Sequence, residues 1–260
     1  MDLSAVSRKE ALSRVVRETS PLGKRARASL LVARTINDAL VPSDDDDARA
    51  RVVMTSVSTL AVASFAVFAL WMARAYVPAA TLFAWHPSCL SVAIGLCGAA
   101  SVVGVRVRAL APGRERVRAL WLHLALNSAG GAAWVVGFWA IYANKNNLGK
   151  AHFTSTHGKV GAAATMVLVA TYALGLFSFN ALGLLTRLDM NRRAKDVKAT
   201  HRVASLVAIF GGILAASMRT GHGSTGFGAA GRAVADVALF AGAGALVFLA
   251  ATTPAWKIER

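Results

Sequence analysis

The sequence predicts an all-α, polytopic membrane protein: six transmembrane helices, of which helices 2-5 form a four-helix core. Three observations carry this prediction. Of the 260 residues, 55% are hydrophobic, and mean hydropathy is +0.50, a balance that belongs to membrane chains rather than soluble domains. Apolar stretches long enough to cross a hydrocarbon core of about 30 Å recur along the chain. Basic residues gather in alternate connections between those stretches, the pattern by which topology is set during insertion.

The apolar runs cover residues 52–72, 81–105, 119–143, 154–185, 203–218 and 233–256. None is long enough for two crossings, so each holds one helix. The fourth exceeds one crossing, which leaves its end open. The fifth has only 16 residues and barely crosses at about 1.5 Å per residue. Its helix must therefore reach back through Thr200, His201 and Arg202, with Arg202 extending along its stem to the surface. The only charges inside the runs are Lys159 and Asp236, each within two turns of its helix start.

A net charge of +16 would point to nucleic acid in a soluble protein. Its distribution excludes that partner here. Ten basic residues lie in the N-terminal tail and five in each of the second and fourth loops, against one or two in each odd loop. Both termini and the even loops are therefore expected in the cytosol, with some affinity for anionic lipid. Residues 1–51 read as a basic and acidic cytosolic tail, disordered or amphipathic, closed by an acidic run at 44–47. Asp2, Glu10, Glu18 and Asp38 argue against a transit peptide. Residues 52–256 form the membrane domain, and 257–260 a short cytosolic C-terminus. Cys89 and Cys97, about 12 Å apart on one helix, cannot bridge each other and read as packing residues.

Four histidines stand near helix ends. His86 opens the second helix, which runs inward, and so lies near the outer face. His123 opens the third, which runs outward, and lies near the inner face. By the same rule His157 is outer and His201 inner. A histidine at membrane depth is costly enough to point to function, and these four fall at two matched depths, His86 with His157 and His123 with His201. A single histidine near a helix end is most often an interfacial group bonded to a backbone carbonyl. Zinc or copper can use two histidines but usually recruits carboxylate, thiol or thioether ligands as well, and helices 2-5 carry no acidic residue within their apolar runs. Haem iron needs only two axial imidazoles, and helical bundles build such sites from facing helices. Gly130, Gly131, Gly158, Gly161, Gly211 and Gly212 would let a flat macrocycle approach the backbone, or serve ordinary close packing of helices in lipid. Trp121, Trp134 and Trp139 read as interfacial anchors or core fillers.

At these residues the chain resembles the cytochrome b561 family, in particular its short six-helix branch. The matching stretches are Phe83-Ala-Trp-His-Pro87, Leu122-His123 behind a basic run, Gly149-Lys-Ala-His152 with Thr156-His-Gly158, and Ala199-Thr-His201. The likeness covers roughly residues 52–252. It implies two haem b groups, bis-histidine ligated: His86 and His157 on the outer iron, His123 and His201 on the inner. It also implies an ascorbate-dependent transmembrane reductase (an oxidoreductase) passing electrons from cytosolic ascorbate to monodehydroascorbate radical or a ferric chelate on the opposite face. A homodimer is implied as well. The membrane would be endomembrane, vacuolar or plasma membrane.

Ascorbate is an anion near neutral pH, so its site calls for fixed cations beside the inner haem. Arg116 and Arg118 precede His123 by seven and five residues, and Lys195 and Lys198 precede His201 by six and three. On the outer face Lys150 and His152 stand ready for an anionic acceptor. His222 reads as a solvated loop residue. Two other classes remain open on sequence alone: a haem-bearing or haem-free membrane anchor subunit of a larger redox complex, and a metal or proton transporter using the histidines. The runs show no broken helix to favour transport.

Overall fold

A computed structural model describes residues 44–76, 81–107, 113–178, 183–220 and 228–253. The tail before residue 44, His222, Arg108 and residues 254–260 lie outside the described residues. The chain divides into two units, Met1–Val53 and Met54–Arg260. Of the first, only the helical stretch from Asp44 is described; the second holds the helical core.

Six long helices account for the architecture: α1 (Asp44–Tyr76), α2 (Leu82–Val107), α3 (Arg114–Asn147), α4 (Thr156–Ser178), α5 (Ala194–Thr220) and α6 (Ala229–Thr252). All six are long and apolar enough to cross a membrane, and the described residues contain no strand. The protein is an integral, multi-pass, all-helical membrane protein. Backbone groups in hydrocarbon must bond within their own segment, so helices are the form these apolar runs take. Several helices run past the apolar limits. α1 starts in the acidic run at Asp44, ahead of the apolar span that begins at Val52. α3 takes in Arg114, Arg116 and Arg118, because a helix continues into water while its backbone bonds are made, as with the Val117 amide on Gly113 O at 3.2 Å. The long fourth run is divided: α4 stops at Ser178, and beyond Gly183, in the left-handed conformation at φ 68°, comes a single turn, Leu184–Arg187. The short fifth run gains the extra turns it needed, since α5 starts at Ala194.

α2 packs along α3 and α4 along α5, while α6 meets α2 and α5. α1 joins through Phe65, fully buried against α2 and α6. A Cβ at Gly98 would stand 2.7 Å from the Phe65 ring and one at Gly242 3.1 Å from it, so the two glycines make the slot that the ring fills. Trp71 Nε1 donates to Gly231 O at 3.0 Å, a second tie between α1 and α6. On the outside, Val135 and Trp139 of α3 and Met166 and Val169 of α4 are exposed, as lipid-facing side chains should be.

Candidate functional site

The four histidines meet in two pairs. The ring centroids of His86 (α2) and His157 (α4) lie 6.1 Å apart with planes at 86°. Those of His123 (α3) and His201 (α5) lie 6.4 Å apart at 80°. These are the pairs that helix direction and depth predict. In each ring Nδ1 faces a backbone carbonyl: His86 on Gly137 O at 3.0 Å, His123 on Ala100 O at 2.8 Å, His157 on Ala215 O at 2.8 Å and His201 on Thr171 O at 3.1 Å. A carbonyl only accepts, so each Nδ1 carries a proton, and in the neutral ring Nε2 then keeps its lone pair. A neutral imidazole with its lone pair on Nε2 is a metal donor.

The spacing fits one atom between the rings. Metal–imidazole bonds of about 2 Å, with each ring centre about 1.1 Å behind its nitrogen, put the centroids about 6.2 Å apart. The observed separations bracket that value. Among the described residues no group of three or more His, Cys, Asp or Glu could hold a metal ion, and each histidine pair offers two imidazoles. That suits an iron whose other four positions come from a porphyrin.

The carbonyls show how the helices divide the work. On every core helix the acceptor stands fourteen residues beyond that helix's own histidine: Ala100 after His86, Gly137 after His123, Thr171 after His157, Ala215 after His201. Fourteen residues span about 21 Å and return close to the same helix face. Each helix thus gives a ring to one pair and a carbonyl to the other, and this offset sets the two sites about 21 Å apart along the core.

Around His86 and His157, the pair expected on the outer side, lies a cavity of about 300 Å³, at the lower bound for ligand sites. Its lining includes His86, His157, Phe138, Tyr142, Trp134, Gly158, Gly161 and Gly212, with Lys145, His152 and Arg219. The Gly149-Lys-Ala-His152 element is built to present His152. Gly149, at φ 60°, ends α3 in the left-handed conformation that glycine adopts without strain. The Lys150 amide then bonds Lys145 O at 2.9 Å. The chain turns back so that His152 stacks on Tyr142, centroids 4.3 Å apart and planes at 21°, with its Nε2 2.8 Å from Asn146 Oδ1. Lys150 is exposed and is not among the lining residues.

His123 and His201, the pair expected on the inner side, are shaped by residues that sequence reasoning missed. A Cβ at Gly104 would stand 3.0 Å from His123 Cε1 and Nδ1, and one at Gly175 3.3 Å from His201 Cε1. Asn127 Nδ2 donates to His123 O at 2.9 Å and lies 3.2 Å from its Nε2. The Tyr172 hydroxyl donates to Asn127 O at 2.5 Å, tying α4 to α3 one turn above His123. Of the cations expected on the cytosolic side, Arg116 is half-buried and lies two turns before His123 on nearly the same face. Lys198 lies three residues below His201, within about 60° of its face. Arg118 points well away and pairs with Glu115 at 2.9 Å, both side chains about three-quarters exposed (75% and 74%). Lys195 is exposed, about 120° round α5 from His201.

The predicted glycines divide by role. Gly158, Gly161 and Gly212 line the outer cavity. Gly130 lies against Cys97, Gly131 against the Tyr172 hydroxyl and Gly211 against Ala164, which is helix packing. Cys97 is buried and Cys89 partly so, both free. Trp134 is 4% exposed and donates to Thr165 Oγ1 at 3.0 Å, whereas Trp121 and Trp139 are exposed.

The family model for eukaryotic cytochrome b561 matches residues 85–227, more than half of the chain and all four paired histidines. The chain belongs to the cytochrome b561 family. No curated protein and no solved structure matches it. As a cytochrome b561 the protein is a haem-dependent oxidoreductase that transfers electrons across a membrane, and the matched segment runs from the start of α2 past the end of α5. The cytochrome b561 match therefore falls on the four-helix core, with α1 and α6 outside it.

Proposed function

We propose that this cytochrome b561 carries electrons through two b-type haems in series. His86 and His157 hold the outer iron; His123 and His201 hold the inner. The observation that carries the reading is the pair geometry: ring centroids at 6.1 and 6.4 Å, with every Nδ1 committed to a carbonyl. Bound haem supplies a one-electron couple at each depth. With both imidazoles of a pair committed to the haem they would hold, substrate would react at the edge of each site.

The donor is cytosolic ascorbate. Its monoanion gives up one electron and its remaining acidic proton, leaving the monodehydroascorbate radical. Arg116 and Lys198 attract the anion toward the inner pair, with Arg118 and Lys195 adding to the field around it. Both termini face the cytosol, on the argument from basic loops. On the opposite face His152 lines the cavity that an acceptor reaches, either monodehydroascorbate or a ferric chelate, and Lys150 contributes charge from the adjacent turn.

Purified protein treated with ascorbate alone tests the reading. A reduced-minus-oxidised spectrum of low-spin, bis-histidine b-type haem, with two haems per chain, is expected. Protein that binds no haem, or haem that only a further partner protein can reduce, would contradict it.

A further inference from the structure

The outer cavity carries positive charge that the proposed electron path leaves unused. Arg219, in the last turn of α5, lines it together with Lys145 at the end of α3. Arg219 stands four residues beyond Ala215, whose carbonyl holds His157, and so lies one turn outward on the same face. Lys145 is fixed from the other side, its ammonium donating to Ala151 O at 2.9 Å. No Asp or Glu occurs among the described residues lining the cavity. Two cations from different helices, with His152 in the same lining and no carboxylate among its described residues, make a rim that calls for an anion.

We propose that Arg219 and Lys145 form a carboxylate-binding rim on the outer cavity, with Arg219 as the selective member. Its fork of donors matches a carboxylate in two parallel hydrogen bonds, whereas an ammonium acts as a point charge. The carboxylate has two sources: the propionates of the outer haem, or an anionic acceptor arriving from solution. The proposal rests on the assignment of His86 and His157 to that haem.

The test uses full-length protein reconstituted in lipid, with Arg219→Gln and Arg219→Lys. Three quantities are read: the midpoint potential of the outer haem, KM for ferric-EDTA, and KM for hexaammineruthenium(III), a cation without carboxylates. If the rim holds the propionates, Arg219→Gln lowers the outer potential, since a cation that favours the reduced state is gone. Arg219→Lys then restores most of that shift, and both acceptors respond alike. If the rim holds the acceptor, the potential stays put and KM for ferric-EDTA rises about fivefold, the upper end for a solvent-screened ion pair. KM for the ruthenium complex does not rise, and the difference fades as salt is added. Wild-type potential and wild-type KM values for both acceptors in Arg219→Gln would overturn the proposal. Wild-type protein lacking an outer haem would instead overturn the ligand assignment beneath it.

Discussion

His123 and Gly137 stand fourteen residues apart on α3 and serve opposite ends of the core: His123 gives its ring to the inner pair, and the Gly137 carbonyl holds His86 of the outer pair at 3.0 Å. The same division holds on α2, α4 and α5. A helix that slid by one residue would move a ligand at one depth and a carbonyl at the other, by about 1.5 Å each. The two sites are therefore set by one register, and damage to the core helices should reach both.

Loss of a single ring should be more local. Replacing His86, His123, His157 or His201 by Leu removes one axial ligand and should leave about half of the haem, measured as haem per chain after purification. The four variants should fall into two spectral classes, 86 with 157 and 123 with 201. Full haem content in all four would contradict the ligand assignment.

Gly104 and Gly175 touch only the inner pair. A methyl at 104 would meet His123 Cε1 and Nδ1 at 3.0 Å, closer than ordinary contact, so the ring that bonds Ala100 O must give by a few tenths of an ångström. Gly104→Ala should thus perturb the inner haem spectrum and potential while leaving the outer unchanged. Gly244→Ala on α6 is the control, because a methyl there meets nothing within 4 Å and the residue lines neither site. Equal spectra for the two variants would show that the contact does not matter.

Tyr172→Phe removes the hydroxyl that ties α4 to Asn127 on α3, beside Thr171, whose carbonyl holds His201. The loss of that bond should cost about 1 kcal/mol of stability, seen as a lower melting temperature. It should also shift the inner potential and not the outer. An unchanged inner potential would reduce Tyr172 to a packing residue.

Charge at the cytosolic face should matter by position. Reversal at Arg116 or Lys198 should slow reduction by ascorbate, leave a neutral donor unaffected, and weaken as salt shortens the screening length below about 8 Å. Reversal at Arg118 should do less, since Glu115 already offsets it at 2.9 Å. Equal slowing with both donors would indicate a damaged haem site.

The six helices were legible because a bilayer demands unbroken apolar length, and the histidine pairs because alternating direction assigns each ring a depth. Helix ends were not legible. Arg114 to Arg118 look like loop by hydropathy, yet nothing stops their helix in water. The carbonyl partners were hidden for another reason: every residue offers a carbonyl, and only register decides which one meets a ring. A trace existed in the spacing. Seven residues beyond the histidines stand Ala93, Gly130, Ala164 and Ala208, all buried, and seven further stand Ala100, Gly137, Thr171 and Ala215. A histidine followed by small residues at heptad spacing marks a helix face pressed against its neighbours. The convergence of Lys145 and Arg219 on one cavity was not legible either, because it depends on how α3 and α5 end.

The central claim, electron transfer through two sites in series, is tested most directly in sealed vesicles whose cytosolic face points inward, with ascorbate trapped inside and a ferric chelate outside. His86→Leu should leave the inner haem reducible by the trapped ascorbate and abolish reduction of the external chelate, whereas His201→Leu should cut the outer haem off from the donor. Reduction of the external chelate at the wild-type rate by the His86→Leu protein would contradict the account.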